Sequence, residues 1–446
     1  MATETRLILP EHVTPTNYDV KLEPNFDTFT FQGAVTIKAD VNQTTDSIVL
    51  NSAELEIQDV SVDSKGVKCD VLDVSINPDN ETISIKLAKG LEIGTSNLQV
   101  QISFIGSLND RLLGFYKSQY IDINGNEKFL AATQFESTDA RRAFPCWDEP
   151  SQKATFDVSL DIPDEMVAVS NMPIVSDVKG LAGRKTITFD TTPIMSTYLL
   201  AFIVGELGCI EQSTKSGTLM RVWTTAGKEE QGRFALQTSI DLLDYYNDYF
   251  GIPFPLPKLD HLAIPDFAAG AMENWGAITY REVALLVDPE NSSAGTRQIV
   301  AAIISHEMAH MWFGDLVTMN WWNDLWLNES FASWMGDKAV DAIHPEWDMW
   351  TQFLTADTAS AFSLDGLSNS HPIEQEVNNP AEIGQLFDAI SYSKGGSILR
   401  MLEDFIGPSD FQKGIRTYLT DHSYGNAETQ DLWNALEVSS GKPVAK

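Results

Sequence analysis

The sequence predicts an α+β chain of two domains, an antiparallel β-rich N-terminal domain over residues 1–207 and a mainly α-helical domain over 208–446. Three observations predict it. A length of 446 residues exceeds an ordinary single domain. Up to about residue 205, apolar and polar side chains alternate with period two, as in half-buried strands. From about Leu236 on, apolar residues recur at helical spacing instead.

In the first domain Tyr18, Val20 and Leu22 alternate with Asp19, Lys21 and Glu23. Val35, Ile37 and Ala39 alternate with Thr36, Lys38 and Asp40, and Leu98, Val100, Ile102 and Phe104 with Gln99, Gln101 and Ser103. Residues 77–80 (Asn-Pro-Asp-Asn) and Lys89-Gly90 read as turns between such runs. The expectation is a sandwich-like or saddle-shaped set of antiparallel sheets. Residues 133–150 break the pattern with charges, aromatics and two prolines, and from composition alone they read as a solvated charged turn.

The character changes near residues 205–208. Residues 219–223 form one more strand, and Leu236, Ile240 and Leu243 mark a helix that ends at the proline-rich 251–257. A glycine-bounded stretch, Gly270, Ala271, Met272, Glu273 and Asn274, precedes a strand at 277–280. Helices follow around Ile398, Leu399, Leu402 and Phe405, around Phe411, Ile415 and Leu419, and around Leu432 and Leu436.

Between them lies the stretch around which the chain is organised, His306-Glu307-Met308-Ala309-His310, followed by Glu329. Residues four apart on a helix project about 40° from one another, so His306 and His310 share a face. Two imidazoles so placed bind one Zn²⁺ at about 2.0–2.1 Å each. Glu307 falls next along the turn, where it reaches a water at the metal rather than the metal itself. A catalytic zinc takes a third protein ligand, and Glu329 on the next helical stretch supplies a carboxylate. Such a motif also arises by accident in apolar helices. Here Ile299, Val300, Ile303, Ile304, Met308, Met311 and Trp312 mark a core-facing helix, in which two histidines and a glutamate are costly unless something binds them.

Composition narrows the partners. With 30 Lys and Arg against 63 Asp and Glu, the net charge of −33 argues against nucleic acid and anionic membranes. Cys69, Cys146 and Cys209 are odd in number and far apart, which fits a reducing compartment, and neither a signal pattern nor a membrane-spanning run is evident. The expectation is a cytoplasmic protein without membrane insertion.

Several motifs together carry a resemblance: residues 270–274, the His306–Glu329 stretch, the segment from Gln134 to Pro150, residues 390–395 (Ile-Ser-Tyr-Ser-Lys-Gly) and the opening from Leu9-Pro10 to Tyr18. In these the chain resembles the gluzincin zinc aminopeptidases of the alanyl and puromycin-sensitive type. The resemblance implies a thermolysin-like catalytic domain after the β-rich one, one Zn²⁺ per chain, and peptide substrates with a free N-terminus. It assigns the amine-gripping glutamates to Glu273 and Glu136, the pocket for the first side chain to Gln134, and the oxyanion donor to Tyr392, which by sequence alone reads as a core tyrosine. It thereby reverses the composition-only reading of residues 133–150. Met311 and Ser330 stand where the family commonly has glutamine and glycine. Family members continue further, so the chain is expected to be an N-terminal portion. A zinc endopeptidase, and an inert portion acting as a binding module, remain the alternatives.

Overall fold

A computed structural model describes residues 6–445. The chain forms two compact units, one made of Ile8–Leu207 with Ile264–Ala268, the other mainly of Gly208–Ala263 and Ala269–Lys446.

The first unit is built of sheets of eight, four and three strands. At the centre of the largest, Val13–Asn25 runs antiparallel to Thr30–Val41, which in turn pairs antiparallel with Leu98–Ser107. The period-two pattern does what it predicts, since Tyr18, Val20, Leu22, Val35, Ile37, Val100 and Ile102 are all buried. One pairing departs from the antiparallel expectation: Val13–Asn25 is parallel to Thr155–Pro163, from Asn17 opposite Thr155 to Leu22 opposite Leu160. A parallel neighbour needs a long crossover rather than a hairpin, and more than a hundred residues intervene here.

Residues 133–150 are not a solvated turn. Phe135, Phe144, Trp147 and Asp148 are buried, as is Arg141. The charges are paired instead. Arg141 donates to Asp148 at 3.0 Å and to Glu81 at 3.2 Å, while Arg142 donates to Asp139 at 2.7 Å and Glu81 at 2.6 Å. Each carboxylate accepts guanidinium N–H bonds, which offset the cost of burying the charges.

The second unit opens with a five-stranded sheet in which Leu219–Thr225 lies parallel to Lys258–Ile264. The helix Arg233–Phe250 makes that crossover. The remainder is mainly helical, with Ala294–His310, Trp326–Ile343, Gly395–Ile406, Pro408–Asp421 and Thr429–Ser440 as the principal helices. Two apolar residues expected in the core are exposed. In Ala294–His310 the buried stripe is Val300, Ile304 and Met308, and Ile299, a quarter-turn off it, is 62% exposed. In Gly395–Ile406 the stripe is Leu399, Glu403 and Ile406, which leaves Phe405 outside. No helix among the described residues is long and apolar enough to cross a membrane.

Candidate metal centre

Two helices of the second unit make the centre. The hydroxyl of Ser293 caps Ala294–His310 by accepting from the Thr296 amide at 3.0 Å. The helix Trp326–Ile343 lies against it closely enough that a Cβ on Gly336 would come within 3.1 Å of the His306 backbone nitrogen. Ser305 reinforces the crossing by donating to the Gly336 carbonyl at 2.9 Å. Glycine at 336 thus lets the two helices approach this closely.

The crossing brings three ligand atoms together. His306 Nε2 lies 3.0 Å from His310 Nε2 and 3.2 Å from Glu329 Oε2, and His310 Nε2 lies 3.5 Å from the same oxygen. A tetrahedral ion with bonds of about 2.0–2.1 Å holds its ligand atoms roughly 3.3 Å apart, inside this range. His310 Nδ1 donates to the Phe313 carbonyl at 2.9 Å, so the neutral ring presents a lone pair at Nε2. Gly314, with φ of 135°, makes the turn that aims this carbonyl back at the ring. Two imidazole nitrogens facing one another beside a carboxylate need a proton or a cation between them, and the donor set of two imidazoles and one carboxylate suits zinc.

The surrounding carboxylates sharpen that requirement. Glu329, Glu273 and Glu307 are all buried. Burial pushes the Glu307 and Glu273 carboxyls above the ordinary range. Burial opposes ionisation of Glu329 too, but His310 and His306 beside it prevail and hold its carboxyl low. Burial disfavours charge on His310, yet Glu273 and Glu329 outweigh it and favour its protonated form. A divalent cation would satisfy the same negative field and displace that proton.

Other residues singled out by sequence fall as follows. Ala271–Met272 pairs antiparallel with Ala277–Arg281, with Ala271 opposite Tyr280, and Gly270 accepts from the Arg281 amide at 3.0 Å. Asn274 closes this hairpin by donating to Thr279 Oγ1 at 3.1 Å. Glu273 at its tip stands 3.9 Å from His310 Nδ1, and Glu273, Glu307 and His310 form a second cluster of potential ligand atoms. The Tyr392 ring stacks beside His306 at 5.9 Å between centroids, carried on a π-helical turn, Ile390–Lys394. Ser330, next to Glu329, donates to the Ser391 carbonyl at 2.5 Å and ties that turn to the ligand helix. Gln134 and Glu136 belong to the first unit, at and just beyond the end of the strand Glu127–Gln134.

Sequence reasoning did not find the Phe313 carbonyl or Gly336. A glycine one residue past Phe313 hints at the first, and nothing in the linear pattern marks the second.

Known proteins match both parts of the chain. Residues 14–199 match the peptidase M1 N-terminal domain and residues 234–446 the peptidase family M1 domain. Aminopeptidase M1-A of Oryza sativa subsp. japonica is 49% identical over 441 residues, 98% of this chain and 50% of the relative. Puromycin-sensitive aminopeptidase of Caenorhabditis elegans is 49% identical over 438 residues, 98% of this chain and 46% of the relative. Alanine/arginine aminopeptidase of Saccharomyces cerevisiae is 46% identical over 444 residues, 99% of this chain and 51% of the relative. The chain therefore spans about half the length of the curated relatives it matches. Identity of this degree, sustained through both matched domains, places the chain in peptidase family M1.

Proposed function

We propose that the chain carries the N-terminal and catalytic domains of a zinc aminopeptidase, removing the first residue of peptides that carry a free N-terminus. The observation that carries this reading is the convergence of His306, His310 and Glu329 within 3.0–3.5 Å. These three would hold one Zn²⁺. When bound, the ion polarises the scissile carbonyl and lowers the pKa of water toward about 7.

The protein's own groups do the rest. Glu307 takes a proton from the attacking water and passes it to the departing amine. Burial raises its carboxyl above the ordinary range, which makes it a stronger proton acceptor than an exposed glutamate. Tyr392 donates its O–H where negative charge develops on the carbonyl oxygen. Glu273, buried at the hairpin tip, pairs with the substrate's ammonium group. An internal peptide bond offers no such cation and would leave the carboxylate uncompensated, so exopeptidase selectivity follows from an unpaired-charge penalty. Gly270, Ala271, Met272 and Asn274 shape the edge along which the peptide lies. On the resemblance alone, Glu136 is a second amine carboxylate and Gln134 lines the pocket for the first side chain.

The domain reading is 1–207 as the N-terminal domain and 208–446 as the catalytic one, supported by the division of compact units at Gly208. A cytoplasmic location is supported by Cys69, Cys146 and Cys209, which are all free thiols. The test is turnover of aminoacyl fluorophores and their N-acetylated counterparts by this chain. Chelator-sensitive hydrolysis of the free-amine substrates alone is expected. Equal cleavage of the acetylated ones would make it an endopeptidase, and no cleavage of either with zinc retained would make it a binding module.

A further inference from the structure

One ion pair of the second unit lies outside the machinery described so far, yet it grips the turn that carries Tyr392. Asp388 stands two residues ahead of the π-helical turn Ile390–Lys394. Its Oδ1 accepts from the amides of Ile390 at 2.8 Å and Ser391 at 3.3 Å, and its carbonyl accepts from the Tyr392 amide at 3.1 Å. Its other carboxylate oxygen, Oδ2, is held by His371 Nε2 at 2.9 Å. His371 Nδ1 faces the Pro372 carbonyl at 2.7 Å. Both ring nitrogens therefore meet oxygen partners. The segment bearing His371 is itself anchored downstream, where Trp321 Nε1 donates to the Val377 carbonyl at 3.0 Å.

We infer that His371 is a positioning residue: through Asp388 it fixes the turn that carries Tyr392, whose ring stacks beside His306. This rests on the reading of Tyr392 as the oxyanion donor. A π turn does not hold itself as an α-helix does, because its i to i+5 bonds are less favourable, so it takes outside restraint. His371 and Asp388 are 22% and 26% exposed. A single pair of this kind, part-buried rather than exposed, adds modestly to global stability. It also contributes direction, since Oδ2 pinned to the imidazole keeps Oδ1 aimed at the two amides. An error of about 1 Å in placing a catalytic group costs up to about 100-fold in rate.

The test uses His371→Ala, Asp388→Ala and Asp388→Asn in the whole chain, with Tyr392→Phe alone and combined with His371→Ala. Asn at 388 can accept from the amides through its oxygen and donate through its Nδ2 to a neutral His371, so it restores the clasp without charge. The expected result is a kcat lowered by about 10- to 100-fold in both alanine variants with KM near wild type, and kcat near wild type in Asp388→Asn. Adding His371→Ala to Tyr392→Phe should cost nothing further. Amide hydrogen exchange at Ile390 and Ser391 should quicken in Asp388→Ala and His371→Ala and stay slow in Asp388→Asn, a readout independent of turnover. Unchanged exchange in the alanine variants overturns the clasp. Normal kcat in them alongside a slow Tyr392→Phe overturns its role in catalysis. Normal kcat in Tyr392→Phe itself removes the oxyanion reading, and with it the catalytic half of the inference.

Discussion

Gly336→Ala tests whether the helix crossing sets the metal geometry. The added methyl would meet the His306 nitrogen at 3.1 Å and its Cα at 3.3 Å, both main-chain atoms that cannot swing aside. Ordinary carbon contacts lie at about 3.5–4.0 Å, so the helices must part by a few tenths of an ångström. Overpacking of this kind costs about 1–3 kcal/mol, while replacing a mid-helix glycine by alanine returns roughly 1 kcal/mol of propensity. The net change in stability of the metal-free protein is therefore small, about 0–2 kcal/mol. Metal affinity is less forgiving, because ligand distances tolerate only about 0.2 Å. Parting the helices separates His306 from Glu329, now 3.2 Å apart, and zinc affinity should fall about 10- to 100-fold, the usual scale for losing ligand support. Chelator competition on the variant and wild type measures the affinity, and thermal unfolding of the metal-free forms measures the stability. A Gly336→Ala variant that holds zinc as tightly as wild type would show that the close approach does not govern the centre.

Other substitutions separate the remaining roles. Glu307→Gln keeps the side-chain shape and removes the base, so zinc content should stay at the wild-type level while kcat falls by about 10²- to 10⁴-fold; near-normal kcat would reassign the base. Glu273→Gln should weaken free-amine substrates by about 10- to 100-fold, and blocking the substrate amine should remove the same energy, leaving the two changes non-additive. Strict additivity would falsify direct contact. Arg141→Ala strands the buried Asp148 carboxylate in the first unit and should cost about 3–5 kcal/mol in urea unfolding, with Arg141→Lys recovering little because one ammonium cannot reproduce the fork that joins Asp148 and Glu81. A loss under about 1 kcal/mol would mean that the network is not what holds residues 133–150 down.

What could be read from the linear sequence was whatever depends on near neighbours. The period-two runs at Tyr18–Leu22 and Leu98–Phe104 became strands with their apolar faces buried, because alternation depends only on the pleat. The four-residue spacing of His306 and His310 likewise fixes one helix face. Features that depend on distant partners stayed hidden. The burial of residues 133–150 rests on Glu81 meeting Arg141 and Arg142, a pairing no local pattern records. The parallel register of Val13–Asn25 with Thr155–Pro163 has the same origin. Ile299 misled because a run of apolar residues does not say which of them faces the core; the stripe through Val300, Ile304 and Met308 decided it. The His310 tautomer is set by a main-chain carbonyl at Phe313, and carbonyls carry no residue identity to read.

The central claim is that His306, His310 and Glu329 form one zinc site, and zinc stoichiometry after exhaustive dialysis tests it most directly. Elemental analysis of the wild-type chain should find about one zinc per chain, and each single alanine substitution at these positions should lower that sharply, since two remaining ligands bind far more weakly than three. Full zinc retention in His310→Ala, whose Nε2 lies 3.0 Å from that of His306, would contradict the assignment.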